Sequence, residues 1–514
     1  MLVTLQNPRD AQRPTEQSAA PFFHFDRARA FALAERALAA ALRAGAAYAD
    51  IRIGETRRQF IQAKEERLDE FFESADPGFG LRVLVDGCWG FYGARSLEPV
   101  ALDAAVERAI YNARAVAPIR VAPVRIEETE PHVAEWIMPL GVDPFAVDAP
   151  AKVERLVAVN AAALAAGADY CVSSFAFATE ERLFADSRGS RIFQSRTRTQ
   201  PSFEVTLIDK ASGRFATRES LAPARAAGWD YALSCDLLGE ARQAVEDARQ
   251  KLYAKPVEAG VTDVVIDPTN LWLTIHETVG HSTELDRALG WEANFAGTSF
   301  VKPHMLNNLR FGSELMTIKA DRSQEGGLAS IAFDDDGAPR ECAEFEIVSE
   351  GVFRNYQMAM GQAHLIGAER SNGCAYADDP TAFPIQRMPN ISLAPNPEAC
   401  ALEQLIGGVE KGLYIVGAGS WSIDQQRDNF QFGGQMFYEI RDGKLGEPVR
   451  DAAYQGRTVS FWNSLDGLGD ASTYRLCGTF TCGKAEPMQL APVSHGAPAA
   501  RFRGVTVLNT AREG

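Results

Sequence analysis

The chain has 514 residues, 46% hydrophobic and 23% charged, which is the balance of an ordinary globular protein and too long for a single core. Its 52 basic and 68 acidic residues give a formal net charge of −16, which argues against nucleic acid as the main ligand. Eight cysteines lie scattered without a disulfide framework, Met1–Pro8 carries no basic-then-apolar leader, and no apolar run reaches about 18 residues. A cytoplasmic protein with reduced thiols and no membrane span is expected.

Residues 1–23 are polar and proline-bearing and read as a loose arm. Asp26 can cap a helix with apolar positions at Phe31, Ala34, Leu38, Ala41 and Leu42, closed by Gly45. Short strands follow at Ala49–Ile53, Gln59–Ala63 and Leu81–Val85. The last turns at Asp86-Gly87 into Cys88–Tyr92, and a second helix spans Pro99–Val116. Six prolines between 118 and 150 mark a connection. A helix at 151–166 opens a second block with strands at Tyr170–Ala178, Glu181–Asp186, Arg191–Arg196 and Ser202–Lys210, closed by a helix over Leu233–Leu252.

Val261–Ile266 has the apolar run of a buried strand. Pro268-Thr-Asn then opens a helix, with Thr269 or Asn270 as cap. From Trp291 onward short strands and turns dominate. Asp334-Asp-Asp-Gly337 and Arg441-Asp-Gly443 fit hairpin tips, the first as a solvated turn without the ligand spacing of a calcium loop. Gly417-Ala-Gly419 and Gly433-Gly434 lack the strand-to-helix setting of a phosphate loop. The pattern predicts an α+β fold: an N-terminal helix-and-antiparallel-sheet region, then a β-rich C-terminal domain carrying the motif helix. Its segments are the arm (1–23), a first α+β block (24–117), the proline-rich connection (118–150), a second α+β block (151–255) and the β-rich domain (256–514).

The chemistry concentrates in Leu271–Ser282, which contains His276, Glu277 and His281 as H-E-x-x-x-H. Neutral imidazoles bind zinc, and a free carboxylate beside the metal can take a proton from water. At about 100° per residue, histidines four apart share a helix face, whereas five apart diverge by about 140°. A single π-turn would realign them, and Gly280 would tolerate that distortion. With only seven histidines in the chain, this clustering favours a metal site over chance. A third ligand is open from spacing alone. Glu284 and Asp286 are near; His304, His364, His495 and the cysteines are distant. Glu284 suits either a ligand or an acceptor orienting an imidazole, and Thr481-Cys482-Gly483-Lys484 offers a thiolate in a turn.

The H-E-T-V-G-H run, Ser282–Asp286, Phe383–Asn390, the late Thr-Cys-Gly-Lys and Arg503–Val507 together resemble the TldD/PmbA metalloprotease family over nearly the whole chain from about residue 24. The resemblance implies a zinc-dependent peptidase acting on unfolded or extended polypeptides or peptide precursors. It implies zinc on His276, His281 and Cys482, Glu277 as the catalytic carboxylate, and a homodimer or a heterodimer with a related chain. Retention of H-E-x-x-x-H is similar to the metal-bearing TldD-type chain. Thr278 departs from the commoner alanine and is expected on the helix surface. Trp291–Phe300 and Arg427–Gly434 look unlike the usual members. No residue is identified for the oxyanion. Cys477 is a rival thiolate, better read as a buried hydrophobe. The alternatives are a non-enzymatic peptide-binding or adaptor subunit, and a structural zinc site.

Overall fold

A computed structural model describes residues 27–511; the loose arm and the Asp26 cap lie outside the described residues. The architecture is α+β. Helices α1 (Arg27–Arg43) and α2 (Pro99–Val116) flank a meander of β1 (Tyr48–Lys64), β2 (Arg67–Val85) and β3 (Cys88–Ala94). Next come β4 (Val133–Ile137), α3 (Ala149–Ala166), β5 (Tyr170–Asp186), β6 (Arg191–Ile208), β7 (Phe215–Glu219), α4 (Trp229–Ser234) and α5 (Leu237–Tyr253). At the β2–β3 tip, Asp86 and Gly87 have φ of 50° and 70°, the pair of left-handed residues that a two-residue hairpin requires.

Two corrections concern strand length. Ala49–Ile53 and Gln59–Ala63 belong to one strand, β1, because β2 and β5 pair with it on both sides across its polar middle. Glu181–Asp186 likewise continues β5. Backbone pairing on two edges carries an extended chain through residues whose side chains alone suggest a break. The last helix of this region starts at Leu237, not Leu233, where the Asp236 carboxylate accepts from Gly239 N.

All these strands form one seven-stranded sheet in the order β3-β2-β1-β5-β6-β4, with β7 also on β6. The period-2 alternation gives its two faces opposite chemistry. Ile51, Ile53, Leu81, Val83, Phe175, Phe177 and Leu183 point under the helices and are fully or nearly fully buried. Each such side chain contributes about 1.5–3 kcal/mol relative to exposure. Asp50, Arg52, Arg82, Glu180, Arg182, Arg196 and Arg198 point the other way and are also buried, beneath the C-terminal region. Asp334-Asp-Asp336 is part of that cover. It makes a turn, but not a solvated one: Arg82 Nη2 donates to Asp336 at 2.7 Å and Arg182 Nη1 to Asp335 at 2.6 Å. Burial and the neighbouring Asp336 push the Asp334 carboxyl up to about 7.

The C-terminal region closes five strands into a ring. Lys411–Ile423 pairs parallel with Gly260–Ile266, which pairs with Ala500–Asn509, then Ala452–Arg457, then Asn429–Arg441, which returns to Lys411–Ile423. Closure removes the free edges within the ring. The motif helix α6 (Pro268–Ile275) leaves the strand Gly260–Ile266 directly. Its cap is Asp267, which accepts from Thr269 N, rather than Thr269 or Asn270. Asn270 is fully buried instead and donates to Gly417 O at 2.8 Å and Gly433 O at 2.9 Å. The glycine-rich stretches are thus close-packed strand positions against which the helix is tied. Leu271, Ile275 and Val279 complete the fixing in a core with Phe430, Tyr454, Trp462 and Phe502.

Candidate metal centre

The motif begins where α6 stops being an α-helix. His276–Gly280 forms one π-helical turn, with His281 N donating to His276 O five residues back, and His281–Thr283 continues as a 3₁₀ turn. This is the realignment that the five-residue spacing demanded. The role of Gly280 differs from expectation: its φ is −53°, ordinary for any residue. A Cβ there would meet Met388 Sδ at 2.7 Å, so any side chain at this position would require the methionine to move. Thr278 is also not on the surface. It is fully buried, donates to Thr274 O and accepts from the Trp462 indole at 2.9 Å. The hydroxyl therefore ties the π-turn to the core.

The realigned rings meet a thiol from the other end of the chain. The hairpin Arg475–Lys484/Gln489–Ala497 has a register shift between Thr479 and Cys482, a bulge that re-aims the strand at Cys482. One ligand-type atom from each of His276, His281 and Cys482 lies within 4.8 Å of the other two, and all three residues are buried. His281 Nε2 is 3.5 Å from Cys482 Sγ. These three residues and Glu277 line a cavity of about 240 Å³ with Trp272, Trp421 and Arg427. A larger groove of about 630 Å³ along Lys319–Asp321 and Leu393–Pro395 contains none of these groups.

Each imidazole is held by its Nδ1, which leaves Nε2 as its remaining donor. His276 Nδ1 lies 2.7 Å from His495 Nε2, and His495 Nδ1 lies 3.0 Å from Ile391 O. His281 Nδ1 lies 3.0 Å from Glu284 Oε2, which also accepts from Arg287 Nε at 3.0 Å. Lys484 Nζ stands 3.3 Å from Glu284 Oε1 and 2.8 Å from Asp286 Oδ1. Such outer partners fix ring orientation and tautomer around metal ligands. Glu284 thus sits behind His281, and His495 behind His276. His304 and His364 are exposed elsewhere, and the Cys477 thiol is buried and pushed up to about 12 by that burial. His495 was legible only as a histidine and Lys484 only as the end of Thr-Cys-Gly-Lys; Arg427 and Arg287 carried no motif signal of their own.

The electrostatics favour metal-ready protonation states. Burial pushes His281 down to about 4 despite Cys482 and Glu284, and lowers His276 despite Glu277. Burial alone would raise the Cys482 thiol, yet Arg387 and His281 bring it below its ordinary value. Glu284 is opposed by burial but held well below the carboxylate range by Lys484, His281 and Arg287. Two neutral imidazoles and a thiolate-favouring cysteine form a donor set suited to zinc. Glu277 is outside that set. Its Oε2 accepts from Arg427 Nη1 at 2.5 Å.

Models of the PmbA/TldA metallopeptidase family match residues 49–113 as domain 1, 142–252 as the central domain and 259–509 as the C-terminal domain. The chain belongs to the TldD/PmbA family. A metalloprotease of Methanothermobacter thermautotrophicus is 29% identical over 90% of this chain and 96% of its own length. A zinc metalloprotease TldD homolog of Saccharolobus solfataricus is 24% identical over 50% of this chain and 54% of its own. TldE from Thermococcus kodakarensis superposes with a TM-score of 0.70 at 15% identity, covering 92% of this chain and 99% of that one, a likeness of fold. The family is one of metallopeptidases, and no helix among the described residues is long and apolar enough to cross a membrane.

Proposed function

We propose that this chain is a zinc-dependent peptidase that hydrolyses peptide bonds in unfolded or extended polypeptides or peptide precursors. His276, His281 and Cys482 would hold the zinc, and Glu277 would act as the catalytic carboxylate. The observation that carries this reading is the convergence of two imidazoles and one thiol in a buried cavity that Glu277 also lines. When bound, zinc supplies Lewis acidity and lowers the pKa of a coordinated water toward about 7. Glu277 takes the proton from the attacking water and passes it to the leaving nitrogen. Glu284 and His495 keep the two rings aimed. A structural zinc site would close with four protein ligands, whereas three donors beside an acidic side chain leave room for water.

The unpaired state of all eight cysteines supports a reducing compartment, taken here as the cytoplasm. A homodimer or a heterodimer with a related chain is the assembly that the family resemblance implies. The test is cleavage of an unfolded polypeptide by the zinc-loaded chain and by Glu277→Gln. The wild type should cleave. The variant should retain zinc and lose at least about 10²-fold in rate. Equal cleavage by both would remove Glu277 from the chemistry.

A further inference from the structure

Resting on the peptidase reading, we infer that Arg427 is the oxyanion-binding residue of this site. As water adds to the peptide carbonyl, a C–O bond forms and the carbonyl π pair moves onto its oxygen. Glu277 takes the water proton; on collapse the C–N bond breaks and that proton goes to the nitrogen. The oxygen that becomes negative needs fixed donors, and a guanidinium in a dry cavity is among the strongest.

Arg427 meets that need by position and by unspent donors. It lines the same cavity as His276, Glu277, His281 and Cys482, and among the described residues no other lysine or arginine lines it. Its side chain is 12% exposed. Nη1 gives one of its two N–H groups to Glu277, and Nη2 reaches Ala296 O only at 3.4 Å; Nε is buried from solvent, with no acceptor among the described residues. One N–H therefore locks the guanidinium beside the catalytic carboxylate, while other donors are left for an oxygen that arrives with the substrate.

The chain also holds this arginine at a conformational cost. Arg427 has φ +65°, the left-handed region that a long side chain avoids, and such outliers cluster at functional sites. The turn around it is pinned throughout. Asp424 Oδ1 accepts from Gln426 N and Asp428 N. Thr298 N donates to Gln425 O and Phe300 N to Gln426 O, both at 2.8 Å, and Thr458 Oγ1 donates to Arg427 O at 2.7 Å. The segments 296–300 and 424–428 thus meet each other at this arginine. Their shared task is to deliver Arg427 to the cavity.

The test uses the zinc-loaded full chain, Arg427→Lys and Arg427→Met. Binding is measured by calorimetry for a phosphinic hexapeptide, whose tetrahedral phosphinate stands for the oxyanion, and for the matching amide hexapeptide. Both carry amidated C-termini, so no terminal carboxylate enters the comparison, and the amide is measured in a Glu277→Gln background to prevent turnover. Arg427→Met should weaken the phosphinic peptide by about 10²–10³-fold, with Arg427→Lys between, while zinc content and amide binding stay within about threefold. Unchanged phosphinic binding in Arg427→Met, beside a wild type that cleaves and a Glu277→Gln that does not, overturns the arginine's role and leaves the peptidase reading standing. Equal loss of both ligands or of zinc makes Arg427 structural and also overturns it. A wild type that neither cleaves nor binds the phosphinic peptide removes the peptidase reading and this inference together.

Discussion

Glu284 shows what a single buried charge does at this site. Its carboxylate faces the His281 ring, Arg287 and Lys484 with no exposure to solvent, so two cations compensate its charge. Glu284→Gln keeps the shape but leaves Arg287 and Lys484 undercompensated. It should weaken zinc binding by about 10–100-fold in a chelator competition. Urea unfolding should show a loss of about 3–5 kcal/mol, the cost of breaking a buried pair. Complete loss of zinc with full stability would instead make Glu284 a ligand. The histidines and Glu277 were legible in the sequence because they lie within six consecutive residues in a recognisable pattern. Cys482 stood out only as one thiolate candidate among several, and its role as third ligand entered through resemblance, because spacing could not supply it. Arg427 and His495 were not legible as partners, because the hydrogen bonds that define their roles join chain positions far apart. Thr278 was misjudged for a related reason: a helix wheel says which way a side chain points, and not that Trp462 waits there.

The motif segment is a device for turning a five-residue spacing into one face. The π-turn was readable from that spacing, since no regular helix aims both rings together. The cause of Gly280 was not readable, because Met388 comes from a distant loop. Gly280→Ala should cost about 1–3 kcal/mol of overpacking, measured by urea unfolding, since the buried Met388 side chain would have to shift. Met388→Ala in the same chain should return part of that loss as a coupling between neighbours. Additive effects would mean that Gly280 is kept for another reason. The long strands were under-read at the same scale: β1 continues through Glu55–Arg58 because β2 and β5 both bond to it, which side-chain alternation does not reveal.

Across the whole molecule, the largest unread feature is the charged face of the N-terminal sheet. Alternating Arg and Glu in β5 and β6 carry no sign in the sequence of what faces them, and the C-terminal region covers them. Glu180 lies at its centre, with Arg196 Nε at 2.9 Å, Arg198 Nη1 at 2.8 Å and the Tyr376 hydroxyl at 2.5 Å. Burial opposes the Glu180 charge, but Arg196, Arg198 and Arg182 hold the carboxyl well below its usual value. A depressed folded value means that the folded state binds fewer protons than the unfolded one. The contribution is therefore present above the unfolded value near 4.3 and is lost as pH falls through the folded one. Glu180→Gln should cost about 3–5 kcal/mol at pH 7 in urea unfolding, and the gap to wild type should narrow below about pH 4. A gap that stays constant with pH would mean that shape, not charge, joins the two regions.

The central claim is that His276, His281 and Cys482 hold one zinc ion with an open position beside Glu277. Zinc-edge X-ray absorption of the full chain and of Cys482→Ser tests it most directly. The wild type should show one sulfur at about 2.3 Å and nitrogen ligands at about 2.0–2.1 Å, with a further light-atom scatterer for solvent. The serine variant should lose the sulfur shell. A wild-type shell without sulfur, or a sulfur that survives in Cys482→Ser, would contradict the account.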